Sequence, residues 1–210
     1  MTTVSSGVKF FDSIGPELRD ALASLAEGGL AVVIDSSRDR ADLVAVARTM
    51  TPEAVNVMIT HGRGVVSVAI TGEQRARLAL PAMPGSSTLA SVEASSGVGT
   101  GISAADRALT IRTLADAAAT PDDVVCPGHI VPIVAAAGGL LSHVSRVEAA
   151  IDIARLADSP GAAICEVLDE ESGDLSTTSE ARALADRIGV PATTVAAVIE
   201  ARIEIAVTDW

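Results

Sequence analysis

The chain has 210 residues, a formal net charge of −12 and a hydrophobic fraction of 49%. This composition excludes disorder as a description of the whole chain, and the acidic balance argues against nucleic acid or an anionic membrane as a partner. Aromatic residues make up only 1% of the chain, which excludes a stacking platform for single-stranded nucleic acid and predicts a core of Ala, Val, Leu and Ile.

The first half of the chain alternates between predicted helices and short apolar strands. A helix is predicted over Pro16–Ala26, with Asp12 and Ser13 as candidate caps. Thr51, followed by Pro52, is a helix start of the usual kind. Apolar runs predict strands at 30–34, 43–47 and 65–71. The polar run Ser36–Asp42 separates the first two of these strands.

The second half continues the same alternation. Ser103 and Asp106 resemble a capping box at the start of a helix over 104–118, and Val147–Asp158 has apolar residues at helical spacing. A strand is predicted after His129, another at 161–167, and helices at Glu180–Ile188 and from Thr193 onward. Without a repeat or a break in composition, we expect an α+β fold in a single domain over 1–210.

No feature of the sequence predicts a membrane or secreted protein. The longest apolar stretch, 130–141, contains Pro132 and is shorter than the roughly 20 residues of a spanning helix. The N-terminal residues lack the basic and apolar regions of a signal peptide. The two cysteines, Cys126 and Cys165, do not form a CxxC pair, which is typical of a reducing compartment. We therefore expect a cytoplasmic protein.

Two polar segments of the chain are candidate ligand sites. The run that contains Arg38, Asp39 and Asp42 has the charges to bind a metal, a phosphate or an enediol, although a solvated hairpin tip has the same composition. The segment Thr100–Arg107 places hydroxyl groups and free backbone N–H groups at a helix start. That segment suits an anion, and plain helix capping explains it equally well.

Three further polar positions suit acid–base chemistry. His129, between Gly128 and apolar residues, has the ionisation range of a general base, although a lone histidine is more often structural. His143, Arg146 and Glu148 supply an acid and a cation before a helix, and helix-start electrostatics is the alternative. Glu166 ends an otherwise buried strand, so its carboxylate requires charge compensation.

The order of these segments resembles the 3,4-dihydroxy-2-butanone 4-phosphate synthase family. The strings TGISAADR (100–107) and CPGHIVPIVAAAGGLL (126–141) carry most of the resemblance, which extends over about 18–203. It implies an α+β sandwich that forms a homodimer, with the active site near the subunit interface and Mg²⁺ bound. It also implies a lyase of riboflavin biosynthesis that acts on ribulose 5-phosphate.

The resemblance assigns roles to residues of this chain. It implies three catalytic residues, Asp42, His129 and Glu166. Together with the chemistry of the polar segments above, it gives nine candidate contacts to the substrate: Arg38, Asp39, Thr100, Ser103, Asp106, Arg107, His143, Arg146 and Glu148.

The chain also departs from the family pattern. Arg146 stands where the family has a metal-ligating histidine, and His143 and Val147 replace the Arg and Thr that help to hold the substrate. Ser67 replaces a family cysteine. Because a guanidinium has no lone pair for a metal, we expect no cofactor, with Asp39 the one remaining candidate ligand and Mg²⁺ only if the family activity is retained.

Three functions are compatible with this pattern. The favoured hypothesis is a divergent, repurposed family member that performs metal-independent enolisation, lyase, rearrangement or cyclisation chemistry on a small substrate. The alternative is a genuine synthase that converts ribulose 5-phosphate into 3,4-dihydroxy-2-butanone 4-phosphate and formate. The third is a dimer without catalytic activity that binds a metabolite.

Overall fold

A computed structural model gives the fold of residues 14–208, in which seven strands form one mixed sheet. The order of the strands across the sheet is β4-β5-β3-β6-β2-β1-β7. Their bounds are Ala31–Asp35 for β1, Arg40–Val46 for β2, Ser67–Ile70 for β3, Val92–Ala94 for β4, Val124–Val134 for β5, Ala162–Glu166 for β6 and Ala192–Thr194 for β7.

Helices cover both faces of this sheet. Their bounds are Pro16–Ala26 for α1, Pro52–Val57 for α2, Gly72–Arg77 for α3, Ala104–Ala115 for α4, Arg146–Leu156 for α5, Thr178–Ile188 for α6 and Val195–Thr208 for α7. One apolar cluster lies between the sheet and α2, α4 and α6, and a second lies between the sheet and α1, α5 and α7. This arrangement confirms the predicted α+β sandwich.

Alternation along the strands divides their side chains between the two clusters. In β2, Leu43 belongs to the cluster under α2, α4 and α6, whereas Val44 belongs to the cluster under α1, α5 and α7. Because both faces are covered by helices, the strands are continuous apolar runs. The second face, called here the α5 face, also carries the candidate site.

Most predicted helix starts are confirmed by side-chain caps. Thr51 Oγ1 accepts the Ala54 N–H at 3.1 Å, and Ser103 Oγ accepts the Asp106 N–H at 3.0 Å. The Asp106 carboxylate does not complete a capping box, because it accepts the N–H groups of Gly99 and Gly101 instead. The caps predicted at Asp12 and Ser13 lie outside the described residues.

Three predicted boundaries are wrong. The structure begins β2 at Arg40, because residues 40–42 pair with β1 and leave a four-residue turn at 36–39. Charged residues at 40 and 42 alternate with Ala41, a strand pattern that their charge concealed. His129 likewise lies inside β5, not before it. The helix expected over 104–118 ends at Ala115.

Among residues 14–208, the structure contains no helix both long enough and apolar enough to cross a membrane.

Candidate active site

The strand register brings three predicted catalytic residues to one end of the sheet. Asp42 of β2 lies directly opposite Glu166 of β6. Val131 of β5 and Ile164 of β6 both pair with Ser67 of β3, and His129 and Glu166 each lie two residues beyond those partners. Side chains two residues apart in a regular strand share a face, so Asp42 and Glu166 lie on the α5 face together with Val44 and Ile164. Around His129 the strand β5 is irregular, because its pairing with β4 shifts from Ile130 to Val125.

The strand β3 lies between β5, which carries His129, and β6, which carries Glu166. Asp42 and Glu166 are on neighbouring strands.

A guanidinium from α5 joins the two carboxylates. Arg146 Nη1 donates to Asp42 Oδ1 at 2.8 Å and lies 3.4 Å from Glu166 Oε2. Arg40 Nη1 lies 3.8 Å from the other Glu166 oxygen. The four side chains form two carboxylate–guanidinium pairs with no net charge, and we call them the charge cluster.

Burial sets the electrostatics of the charge cluster. The Asp42 side chain is only 4% exposed, and burial raises the pKa of Asp42 from 3.8 to about 6. The Arg146 guanidinium limits this rise in pKa, and the nearby Glu166 carboxylate adds to it. Asp42 therefore exchanges its proton close to neutral pH, which suits a general base.

Cys165 is next to the charge cluster in sequence but faces the opposite side of the sheet. Its thiol donates to the backbone carbonyls of Met58 and Gly64. Burial, with the nearby Asp42 carboxylate, raises the pKa of Cys165 to about 12. The thiol is therefore protonated and unsuited to act as a nucleophile.

His129 pairs with a carboxylate that the sequence analysis missed. Its Nδ1 contacts Glu93 Oε1, and the Glu93 side chain is 16% exposed against 41% for His129. A Cβ at Gly101 would overlap the Glu93 carboxylate, so glycine is required there. Gly101 in turn donates to Asp106 at 3.0 Å. A chain of contacts thus joins His129 to the start of α4.

The loop before α4 is less available to an anion than its sequence indicates. The Asp106 carboxylate occupies the N–H groups of Gly99 and Gly101. Thr100 and Ser103 are exposed. Arg107 is partly buried, and its Nε has no hydrogen-bond partner among the described residues.

The predicted ligands at the start of α5 bind mainly one another. Glu148 accepts the Ala136 N–H at 2.9 Å and also bonds His143 and Ser145. Burial acts to raise the pKa of Glu148, but these hydrogen bonds outweigh it and lower the pKa. His143 is 66% exposed, and with Glu148 it lines a cleft of about 490 Å³.

Two predicted residues are held apart from the charge cluster. Arg38 pairs with Asp35 at 2.9 Å within the turn. Asp39 accepts the Thr178 N–H of α6 at 2.7 Å, which lowers its pKa. The residue that reaches Glu166 from this hairpin is Arg40, which sequence analysis missed.

A cleft of about 630 Å³ lies at the other end of the sheet and contains none of the predicted site residues. Its arginines already have partners: Arg77 and Arg112 donate to backbone carbonyls, and Arg48 and Arg155 pair with aspartates.

Comparison with known proteins gives a consistent result. The family model described as 3,4-dihydroxy-2-butanone 4-phosphate synthase matches residues 19–201. The chain is 42% identical over 177 residues to the riboflavin biosynthesis protein RibBA of Nocardia farcinica, covering 79% of this chain and 43% of that protein. It is 37% identical over 193 residues to 3,4-dihydroxy-2-butanone 4-phosphate synthase of Neisseria meningitidis serogroup B, covering 87% and 53%. The chain thus spans about half the length of the curated relatives it matches.

Solved structures match the whole sandwich. The crystal structure of 3,4-dihydroxy-2-butanone 4-phosphate synthase of Candida albicans superposes with a TM-score of 0.83 at 30% identity, covering 90% of this chain and 98% of that chain. A structure of such a synthase in complex with two magnesium ions matches with a TM-score of 0.76 at 33% identity, covering 86% and 94%.

Proposed function

Because the chain belongs to the 3,4-dihydroxy-2-butanone 4-phosphate synthase family, we propose that it converts ribulose 5-phosphate into 3,4-dihydroxy-2-butanone 4-phosphate and formate. The observation that carries the proposal is the pair of carboxylates, Asp42 and Glu166, which Arg146 joins at the end of the sheet where β5 carries His129. The residues that depart from the family pattern favour a repurposed relative. The family match over 19–201 supports the synthase reaction better.

The proposed reaction begins with removal of a proton beside the ketone, which leaves an enediolate. Asp42 accepts this proton, since its pKa of about 6 keeps it largely ionised at neutral pH and a competent base. Arg146 faces the developing negative charge with a group that stays protonated. Glu166 holds the two guanidiniums in place, and His129 moves protons on the opposite side of the substrate.

Other parts of the proposal rest on the resemblance. Thr100, Ser103, Arg107 and His143 remain proposed contacts of the substrate. The homodimer with its active site near the subunit interface, the cytoplasmic location and the single domain over 1–210 remain predictions.

Release of formate is the direct test of the proposed reaction. Purified protein incubated with ribulose 5-phosphate is expected to produce formate and the four-carbon ketone phosphate in equal amounts, measured by a formate dehydrogenase assay and by NMR. Ribulose without phosphate serves as the matched control. Absence of formate from a folded preparation would contradict the proposal.

A second candidate function is favoured by one observation. Arg146 lies at 2.8 Å from Asp42 at the position where the family pattern has a metal-ligating histidine. A family member altered in this way is suited to acid–base chemistry on another small α-hydroxy ketone. Turnover of such a ketone without formate release, measured with the same preparation, distinguishes this function from the synthase reaction.

Glu93 is expected to orient the imidazole of His129. The carboxylate accepts a hydrogen bond from the Nδ1–H group, which leaves the Nε2 lone pair free to accept a proton from the substrate. The variant Glu93→Gln should reduce turnover of ribulose 5-phosphate about 10- to 100-fold, a range typical of supporting residues.

The ¹⁵N NMR shifts of the His129 ring report the tautomer directly. They should show hydrogen on Nδ1 in the native protein and a mixture of tautomers in Glu93→Gln. Glu73→Gln is the matched control, because Glu73 is exposed on α3. An unchanged tautomer in Glu93→Gln would refute the positioning role.

A further inference from the structure

The carboxylates of the charge cluster are paired with arginine side chains, which supply the positive charge that a bound metal ion would otherwise supply. Two carboxylates, Asp42 and Glu166, face two guanidiniums, Arg40 and Arg146, across distances of 2.8, 3.4 and 3.8 Å. The Asp42 and Arg146 side chains are only 4% and 24% exposed. Both carboxylates are therefore neutralised by the chain itself.

This donor set does not fit a magnesium ion. Magnesium requires oxygen ligands in a near-octahedral arrangement, usually from one or two carboxylates with waters and substrate oxygens. The Asp42 and Glu166 oxygens that face the centre of the cluster contact guanidiniums, which have no lone pair and repel a dication. Within 14–208, moreover, no three His, Cys, Asp or Glu side chains are grouped closely enough to hold a metal.

Arg146 retains donors that can meet a substrate. Both of its carboxylate contacts use the same nitrogen, Nη1. A guanidinium has five N–H donors in a planar fork, so Nη2 and Nε can donate to two neighbouring oxygens of a ligand. A pair of oxygens on adjacent carbons is the geometry of an enediolate.

We infer that Arg146 takes the place of a divalent cation in this chain and binds the enediolate oxygens of an α-hydroxy ketone directly. Arg40 continues to neutralise Glu166 while Arg146 donates hydrogen bonds to the substrate. This inference rests on the proposed function for the identity of the substrate, but its statement about metal ions stands independently.

The metal half of the inference is tested with manganese, which is paramagnetic and takes the same ligands as magnesium. Titration of the native protein with Mn²⁺, followed by electron paramagnetic resonance, should leave the signal of free Mn²⁺ undiminished, and Mg²⁺ should not raise the melting temperature. Stoichiometric uptake of Mn²⁺ at micromolar concentration would overturn the inference. This readout does not depend on turnover, so it stands even if ribulose 5-phosphate is not the substrate.

The catalytic half is tested by variants of Arg146. Arg146→Gln keeps a planar polar group without the charge, and it should lower kcat about 10²- to 10³-fold, as loss of a donor to a developing oxyanion does. EDTA should leave the native rate unchanged. Native-like turnover by Arg146→Gln, or a rate that falls with EDTA and returns with Mg²⁺, would overturn the inference.

The opposite experiment removes both guanidiniums, so that a metal ion can reach the carboxylates. The double variant Arg146→His/Arg40→Glu replaces both guanidiniums by metal ligands around Asp42 and Glu166. It should acquire Mn²⁺ binding that the native protein lacks, visible as loss of the free Mn²⁺ signal. The circular dichroism spectrum confirms that the variant is folded before it is titrated.

Discussion

The variant His129→Ala is expected to reduce turnover of ribulose 5-phosphate by about 10²- to 10⁴-fold, the usual contribution of a general acid or base. Glu166→Gln is expected to reduce it about 10- to 100-fold, the range for a residue that orients other groups. Glu166→Gln removes the charge that holds Arg40 and Arg146, while its amide keeps the shape of the side chain. His129→Ala removes the imidazole that β5 contributes and that pairs with Glu93. Steady-state formate release measures both effects.

Neither change should unfold the protein, because the Glu166 and His129 side chains are 26% and 41% exposed. Glu170→Gln is a suitable control, since Glu170 is 68% exposed and pairs only with arginines on the surface. It should keep the native rate. If Glu166→Gln and His129→Ala both retained that rate, the assignment of the active site to this end of the sheet would be wrong.

The variant Arg146→Met is expected to lose stability in a strongly pH-dependent way. It leaves the buried Asp42 carboxylate without its guanidinium, and breaking a buried pair in this way costs about 3–5 kcal/mol. The loss should be large at pH 8, well above the native pKa of Asp42, because the variant must then either bury an unpaired charge or take up a proton. It should be much smaller at pH 5, where Asp42 takes up a proton.

The direction in which stability changes with pH follows from the pKa of Asp42. Its folded-state pKa of about 6 lies above the unfolded value of 3.8, so the folded state holds the proton more tightly. The contribution of Asp42 to stability is therefore greatest at low pH and declines as the pH rises from about 4 to about 6, by about 3 kcal/mol in the native protein. Removing Arg146 raises the pKa further and enlarges this decline.

Urea unfolding at pH 5 and pH 8 measures the effect. The double variant Asp42→Asn/Arg146→Met is the matched control, because it has neither the carboxylate nor the guanidinium. Apart from pH effects that it shares with the native chain, its free energy of unfolding should be the same at both pH values. An Arg146→Met protein whose deficit is equal at pH 5 and pH 8 would show that Asp42 is not the group responsible.

The two carboxylates of the charge cluster were predictable from the sequence. Of their two guanidinium partners, Arg146 was predicted and Arg40 was not. Asp42 and Glu166 lie beside apolar runs, and polar residues at the ends of buried strands are recognisable without a structure. Arg146 was predicted as a contact of the substrate. Its position between Asp42 and Glu166 depends on how α5 packs on the sheet, which local sequence does not encode.

Two residues were missed for different reasons. Arg40 alternates with Asp42, so the period-2 pattern of a strand was present in the sequence, but it was interpreted as part of a charged loop. Glu93 belongs to the three-residue strand β4, which is too short to show any period. Its pairing with His129 joins positions 36 residues apart, and only the fold brings them together.

The turn at 36–39 has a consequence for how such chains diversify. Asp42 and Glu166 are aligned by pairing between β2 and β6, and the turn lies outside that pairing. Residues can therefore be deleted or added between Asp35 and Arg40 without moving either carboxylate, whereas one residue gained inside β2 would turn Asp42 to the opposite face. The tip of this hairpin is thus open to rapid evolutionary change, and the two carboxylates beneath it can be inherited intact by descendants that recognise different substrates.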